Sequence, residues 1–494
     1  MEGCGVMSDN TMGPIGLGVW IDPFAMVDIM EAELRITPNE HAIAHIRGTI
    51  DEELESEYLS LAQTDLEVTI SQTDENGMPT IMYVGIVDNM EITNLNGQTV
   101  MDLWLVSSTR LMDLVKHTRT YQDASMVYND LLATLGDYPG YYYSMRVGDG
   151  AALGELITQF EETDWEFIIR LASHFGGVAV PAYVTKGTGY FFGIPEKTSR
   201  IIVNPIHYRI IKGLGEHVDK TRNQVDGIFE SDSMYYEIRD RAIYRLGENV
   251  RFKNRDLRVF AIHSVLEGQL LQNYYSLKSE KGFKTKKAFN FDLVGASLGC
   301  TVTGVQKDMV KVSIHEAQDD YGSNTRWFPF STVYSSPDGS GWYAMPEKGD
   351  VLRLYFPSEL ESQAYTISAV NVDTPMMGTS RQPAPVGHPA TPQPRTNPDV
   401  KTLINKELKE VSLYPDKIIV TNNKGMTIVV DDAEGITIIS DKKITFKSDE
   451  AIDIASANSE VNVFGADKVT LKVGGTKVEL TKNIKFEGGS LYMQ

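Results

Sequence analysis

From residue 418 onward the chain writes its apolar residues in short alternating pairs: Ile444-Thr445-Phe446, Ile452-Asp453-Ile454, Val461-Asn462-Val463 and Val469-Thr470-Leu471. The first apolar residue of each unit falls at Ile418, Ile428, Ile436, Ile444, Ile452, Val461, Val469, Val478 and Ile484, with Leu480 completing the Val478 pair; the steps are 10, 8, 8, 8, 9, 8, 9 and 6. A period of two within a unit predicts a strand with one buried face. "SDKK", "KSDE" and "FGAD" between units supply turn chemistry. A fixed period near eight predicts a solenoid, in which a unit buries its face only against neighbours. With two or three apolar side chains per unit, three strands must surround one core. They come either from three successive units of one chain, about 24 residues per coil, or from one unit of each of three chains. The apolar choices show no super-period of that length, which favours three intertwined chains and a needle of about 45 Å at ~4.7 Å per rung. An ordinary antiparallel sheet is disfavoured, because eight-residue units leave strands of only about three to five residues.

Upstream, "MVKVSI", "GDVLRLYF" and "QAYTISAV" alternate between Gly, Asp and Pro turns, with aromatic-rich "RWFPF" and "GWY" among them. Five short strands predict a small oligonucleotide/oligosaccharide-binding (OB) barrel over 290–373. Between barrel and needle, residues 374–398 hold seven of the chain's 20 prolines, which makes this stretch a semi-rigid spacer. The basic stretch "KSEKGFKTKK", 278–287, reads as a solvated connection. Thr163 with Glu166 predicts a capping box opening a helix whose stripe is Trp165, Ile168, Ile169, Ala172 and Phe175, ended by Gly176-Gly177.

The 494 residues call for several domains, and 42% apolar with 23% charged residues is a globular composition. A net charge of −21 argues against nucleic acid as a partner. The acidity is upstream, since residues 400–494 carry 13 Lys or Arg against 14 Asp or Glu. Cys4 and Cys300 cannot form a disulfide framework or a cysteine-rich zinc site. No apolar run reaches membrane-helix length, and the start lacks the basic region of a signal peptide, so synthesis and assembly in the cytoplasm are expected.

Catalytic readings fare poorly. "GASLG" centres Ser297 in a nucleophile-elbow pattern, yet "CTVTGV" follows where the elbow needs a helix. His41 and His45 stand four apart and would share a helical face, but no Glu-bearing zinc motif surrounds them, and an ordinary surface pair is expected. "GPIGLG" is no phosphate loop, and His388 sits solvated in the spacer. No catalytic, cofactor or metal residue is assigned.

The stretch from Arg326 to Val370, with Trp327 leading a strand and Pro346-x-x-Gly349-Asp350 opening the next, resembles the barrel of VgrG and of phage contractile-tail spike proteins. The segments 66–92, 108–125 and 160–176 look like the hub part of that family. The resemblance implies a mainly β fold: an N-terminal lead-in (1–30), a hub with two tube-like barrels and inserted helices (31–285), the OB-fold barrel (290–373), the linker (374–410) and an octad-repeat, intertwined triple-stranded β-helix (411–494). It implies a homotrimer that adapts a trimeric needle to a hexameric tube and punctures a target envelope. Tube and baseplate subunits would be its partners, with a small PAAR-like tip cap or effector at the needle end. Assembly in the bacterial cytoplasm and ejection toward the target complete the expectation. The H-x-H metal motif of some spikes cannot be carried over, since the needle contains no histidine. The rival reading is an extracellular carbohydrate-active solenoid whose carboxylates would be Asp431, Asp432, Asp441, Asp449 and Asp453.

Overall fold

The computed structural model describes residues 18–480 apart from 74–77, 197–199, 269, 335–342, 369–396 and 406. Ile484, His388 and nearly all of the proline-rich spacer lie outside the described residues, as does the side chain of Leu480. The chain forms two compact units, divided after Val372.

The first unit is organised by one twelve-stranded sheet made of two six-stranded halves. In the first half the strands are Val19–Asp22, Asp28–Ile36, Ile43–Thr49, Glu67–Thr73, Pro79–Leu95 and Gln98–Val106. In the second they are Arg200–Ile202, Tyr208–Lys212, Met234–Asp240, Asn249–Phe252, Arg255–Glu267 and Leu270–Lys278. Numbered within its half, each set runs across the sheet in the order first, fourth, fifth, sixth, third, second. The likeness extends to single residues. The long fifth strand bulges at Asp88 in one half and at Phe260 in the other, and the turns close at the pairs Leu95–Gln98 and Glu267–Leu270, so each position of the hairpin recurs 172 residues on. One feature breaks the likeness: Val19–Asp22 joins its neighbour antiparallel, Arg200–Ile202 parallel. Alternation explains the core. Ala32, Leu34, Ile36, Ala44 and Ile46 point inward from the first half, and Tyr236, Ile238, Val259, Tyr275 and Leu277 from the second, into one continuous apolar cluster.

The first folded unit therefore begins earlier than the boundary at 31 expected from the sequence. Val19–Asp22 is an edge strand of its sheet, and Phe24 is fully buried, because the apolar residues of this glycine-flanked stretch complete the first core. The basic stretch 278–287 is also more than a solvated connection: it folds back, burying Phe283 in the same core, and Thr285 N–H donates to Gly176 O at 3.0 Å.

Residues 107–192 build a second core of Tyr121, Trp165, Ile168, Leu171 and Tyr190. Its helix, Asp164–Ser173, has the reciprocal cap: Glu166 N–H donates to Thr163 Oγ1 and Thr163 N–H to Glu166 Oε2. A five-stranded barrel follows, in the order Phe328–Pro329, Met309–Ile314, Ser297–Gln306, Val351–Tyr355, Tyr365–Ser368, and a bridge from Phe330 to Thr366 brings its edges together.

In the second unit, Lys401–Ile404, Glu410–Leu413, Lys417–Thr421, Met426–Asp431 and Gly435–Ser440 form an antiparallel meander. Strand length was thus no bar to antiparallel pairing for the units led by Ile418, Ile428 and Ile436, which pair in series, with the Ile418 unit also pairing Glu410–Leu413. From 441 to 468 the described residues form no strand, and Val469–Val473 with Thr476–Leu480 makes a closing hairpin.

Candidate assembly surfaces

Two sets of polar contacts help fasten the barrel to residues 107–192. Asp319–Tyr321, a strand in the barrel's connecting loop, adds in parallel to Lys116–Tyr121, which itself pairs with Ile157–Thr163. Asp320 anchors it: its carboxylate accepts from Thr120 Oγ1 at 2.8 Å, Gln122 Nε2 at 2.7 Å and Ile314 N at 2.8 Å. The rings of Tyr121 and Tyr321 stack at 4.9 Å. The second fastening is ionic and buried. Arg170, on the capped helix, donates to Glu162 at 2.8 Å, to Glu361 of the barrel at 3.1 Å and to Thr158 O at 2.9 Å, and all three charged residues are under a tenth exposed. Burial pushes the Glu361 carboxyl above its ordinary range, against the pull of Arg170. Neither fastening was found from the sequence. "DDY" reads there as a polar turn, and Arg170 is one charge inside an amphipathic helix.

Of Trp327, Pro346, Gly349 and Asp350, picked out from the sequence as the barrel motif, Trp327 immediately precedes the strand Phe328–Pro329, and the other three lie in the loop that leads into Val351–Tyr355. Gly349 sits at φ 93°, where a side chain would be strained. Its N–H donates to Val302 O, and Val302 N–H to Asp350 O, so the turn is stitched to the Ser297–Gln306 strand. Asp350 Oδ2 accepts from Glu347 N at 2.8 Å to close the loop that starts at the half-buried Pro346. Trp327 lies under the Lys311 ammonium at 5.0 Å. These are positioning contacts within the barrel.

Other candidates resolve into structural roles. Ser297 opens a strand, and its Oγ accepts from Arg353 at 2.7 Å. His45 lies on the Ile43–Thr49 strand and His41 just before it, so the pair shares a sheet face and not a helical one. His41 bonds Thr109 and Asp113 and stacks on Trp165, while His45 bonds Asp102 and stacks on Trp104. Among the described residues no group of three or more His, Cys, Asp or Glu could hold a metal. Asp431 caps its own turn, accepting from Ala433 N and Glu434 N in the hairpin that joins Met426–Asp431 to Gly435–Ser440.

The needle residues present a different picture. Ile418 and Ile428 are 43% and 42% exposed within the meander. Ile444, Phe446, Ile452, Ile454, Val461 and Val463 have no ladder partner among the described residues and are 47–73% exposed; Ile436 reaches 72% and Leu471 62%. Val469 is half-buried and Val478 51% exposed. Isoleucines and valines exposed in such number make an apolar face awaiting cover.

No family model matches the chain, and no curated protein matches it in sequence. Solved structures do match in fold. A component of the Escherichia coli type VI secretion system, described as similar in structure to the bacteriophage T4 tail proteins gp27 and gp5, aligns over 70% of this chain and 98% of its own, with TM-score 0.50 and 10% identity. A chain of the lidded PdpA–VgrG complex of Francisella aligns over 83% of this chain and 76% of its own, with TM-score 0.50 and 9% identity. The architecture is therefore the mainly β hub-and-spike fold of VgrG and phage-tail proteins. Among the described residues no helix is long and apolar enough to cross a membrane.

Proposed function

We propose that this chain is the central hub and spike of a contractile injection machine and works as a homotrimer. The observation that carries the reading is the needle: an octad series of alternating apolar residues, more than two-fifths exposed at nearly every position in one chain. Two further copies would cover that face, each rung joining three strands around a core of isoleucine and valine. Continuous ladders and an interlocked core would stiffen it enough to carry force to a target envelope when a sheath contracts. The hub's two matching halves, in three copies, would offer six similar surfaces to a hexameric tube, matching three-fold to six-fold symmetry. Tube and baseplate subunits are then its neighbours above, with a PAAR-like cap or an effector at the tip. The role is mechanical, and the bonds at Ser297, Asp320 and Arg170, buried or partly so, fit positioning, not turnover.

The test is the native mass of the full-length chain, 55.0 kDa per copy, by light scattering after size exclusion, followed by unheated detergent electrophoresis. A trimer that survives detergent is expected. A monomer would overturn the reading and bring the single-chain solenoid forward.

A further inference from the structure

The two halves of the large sheet treat one position differently. In the second half, residues 213–233 join the second strand to the third and include the helix Leu214–Arg222. That helix is tied to the face of its own sheet that points away from the core: Glu216 accepts from Lys278 Nζ at 3.0 Å, and Lys220 Nζ donates to Gly282 O at 2.8 Å. The Lys278 ammonium in turn lies 4.2 Å from the centre of the Phe260 ring and 5.5 Å from that of Tyr235. Lys278 and Phe260 correspond to Val106 and Asp88 by the 172-residue offset, and Tyr235, which pairs with Lys278, corresponds to Ile43, which pairs with Val106. In the first half the same connection is the short turn 37–42. What stands there instead is a cleft of about 900 Å³ between the sheet and the helix Asp164–Ser173. Ile43, Trp104 and Val106 form its apolar floor, and Ile169 lines it from the helix. Ile43 is 45% exposed. Arg35 and Arg110, which also line the cleft, are paired with Glu33 and Asp113. That leaves Glu40, Asp88 and Glu166, all exposed and without an ion pair among the described residues.

We propose that this cleft docks an amphipathic helix of a partner protein, apolar on one side with lysine or arginine flanking it, in the place that Leu214–Arg222 fills in the second half. The charges are exchanged between the halves. In the second, the sheet supplies the cation, Lys278, and the helix the carboxylate, Glu216. In the first, the sheet supplies Asp88 and the occupant brings the cation. Ile43 and Trp104 receive its apolar side, as a groove receives the anchors of a helix. Glu40 and Glu166 set its orientation and reject acidic partners, because unlike charges across a contact steer and like charges exclude. The inference rests on the duplication and on the charge of the cleft, and is independent of how many copies of the chain assemble.

The test uses the full-length chain and a dye-labelled synthetic helix of about 15 residues, leucine on one side and lysine on the other, read by fluorescence anisotropy. Saturable binding is expected. Asp88→Lys with Glu40→Lys should weaken it about tenfold or more, the worth of one good charge pair. Ile43→Asp should weaken it as well, by placing a carboxylate in the apolar floor. Asp432→Lys with Glu434→Lys, the same change of charge on exposed residues of the second unit, should leave it unaltered. Circular dichroism and light scattering on each variant check that fold and mass are those of the parent. Absence of binding overturns the proposal, as does binding that the cleft variants leave intact or that both charge changes weaken equally. A cleft already filled by another copy of the chain gives the first of these results. A trimer that does not bind leaves the spike reading standing, whereas a monomer that binds overturns that reading and leaves the cleft.

Discussion

Arg170 shows how a single buried charge can decide where a domain sits. Its guanidinium serves two carboxylates, Glu162 from the hub and Glu361 from the barrel, with Thr158 O taking a further N–H. Such a triad adds little net stability over an apolar trio, but removing one member leaves the others charged in a poor solvent. Arg170→Met is expected to lower stability by about 3–5 kcal/mol, and adding Glu361→Gln should recover part of the loss, since one stranded charge disappears. Urea unfolding followed by tryptophan fluorescence would check both. His174, next along the helix after Ser173, gives a pH signature. Burial, with the nearby Arg170 and Lys287, holds its imidazole down at about 3, and its Nδ1 shares a hydrogen bond of 2.8 Å with the Tyr128 hydroxyl. An unfolded histidine takes its proton near 6.5. Between those values the unfolded chain binds more protons than the folded one, so stability rises with pH: this contribution is complete above about 6.5 and is lost as pH falls toward about 3. His174→Gln should flatten the dependence of melting temperature on pH across that window; an unchanged slope would show that the imidazole is not responsible.

At the scale of elements, the strand Asp319–Tyr321 is the most exacting join in the first unit. It is three residues long, yet Asp320 accepts three hydrogen bonds from two segments, Thr120 and Gln122 on one and Ile314 on the other. Asp320→Ala should cost about 2–4 kcal/mol, because hydrogen bonds to a charged acceptor are worth more than neutral ones and their donors would be left buried. Hydrogen exchange should quicken at residues 318–321, while Asp319→Ala, whose side chain is half exposed, should leave it unchanged. Features of this kind separate what was legible in the sequence from what was not. The helix start at Thr163 was legible because cap chemistry is decided within four residues, and "MVKVSI" was legible because alternation is local: it is the strand Met309–Ile314 residue for residue. The Asp319–Tyr321 strand was hidden because its partner lies 200 residues upstream. The matching halves were hidden for another reason. Their common register is carried by backbone pairing while the side chains differ, as Asp88 and Phe260 do at equivalent bulges, so no repeat of letters survives.

Across the whole molecule, the unsatisfied surface is concentrated in the needle, and its chemistry fixes what substitutions should do. As a strand, the unit would turn Ile452 and Ile454 to one face and Asp453 to the other. In a trimer each such isoleucine recurs three times around the axis. Burying an aliphatic side chain of this size contributes about 1.5–3 kcal/mol, so one layer of three is worth roughly 5–9 kcal/mol. Ile454→Asp would exchange that layer for three carboxylates in an apolar core, where they can neither be hydrated nor paired. The variant should lose detergent resistance and run as a smaller species in light scattering, whereas Asp453→Asn, on the outer face, should behave as the parent. Concentration gives an independent check. If folding of the needle and association of three chains are one event, its melting temperature must rise with protein concentration, by mass action. A single-chain solenoid has no such dependence, and in it Ile454→Asp would lower the melting temperature without changing the mass, so the two measurements together tell a needle shared by three chains from one coiled within each.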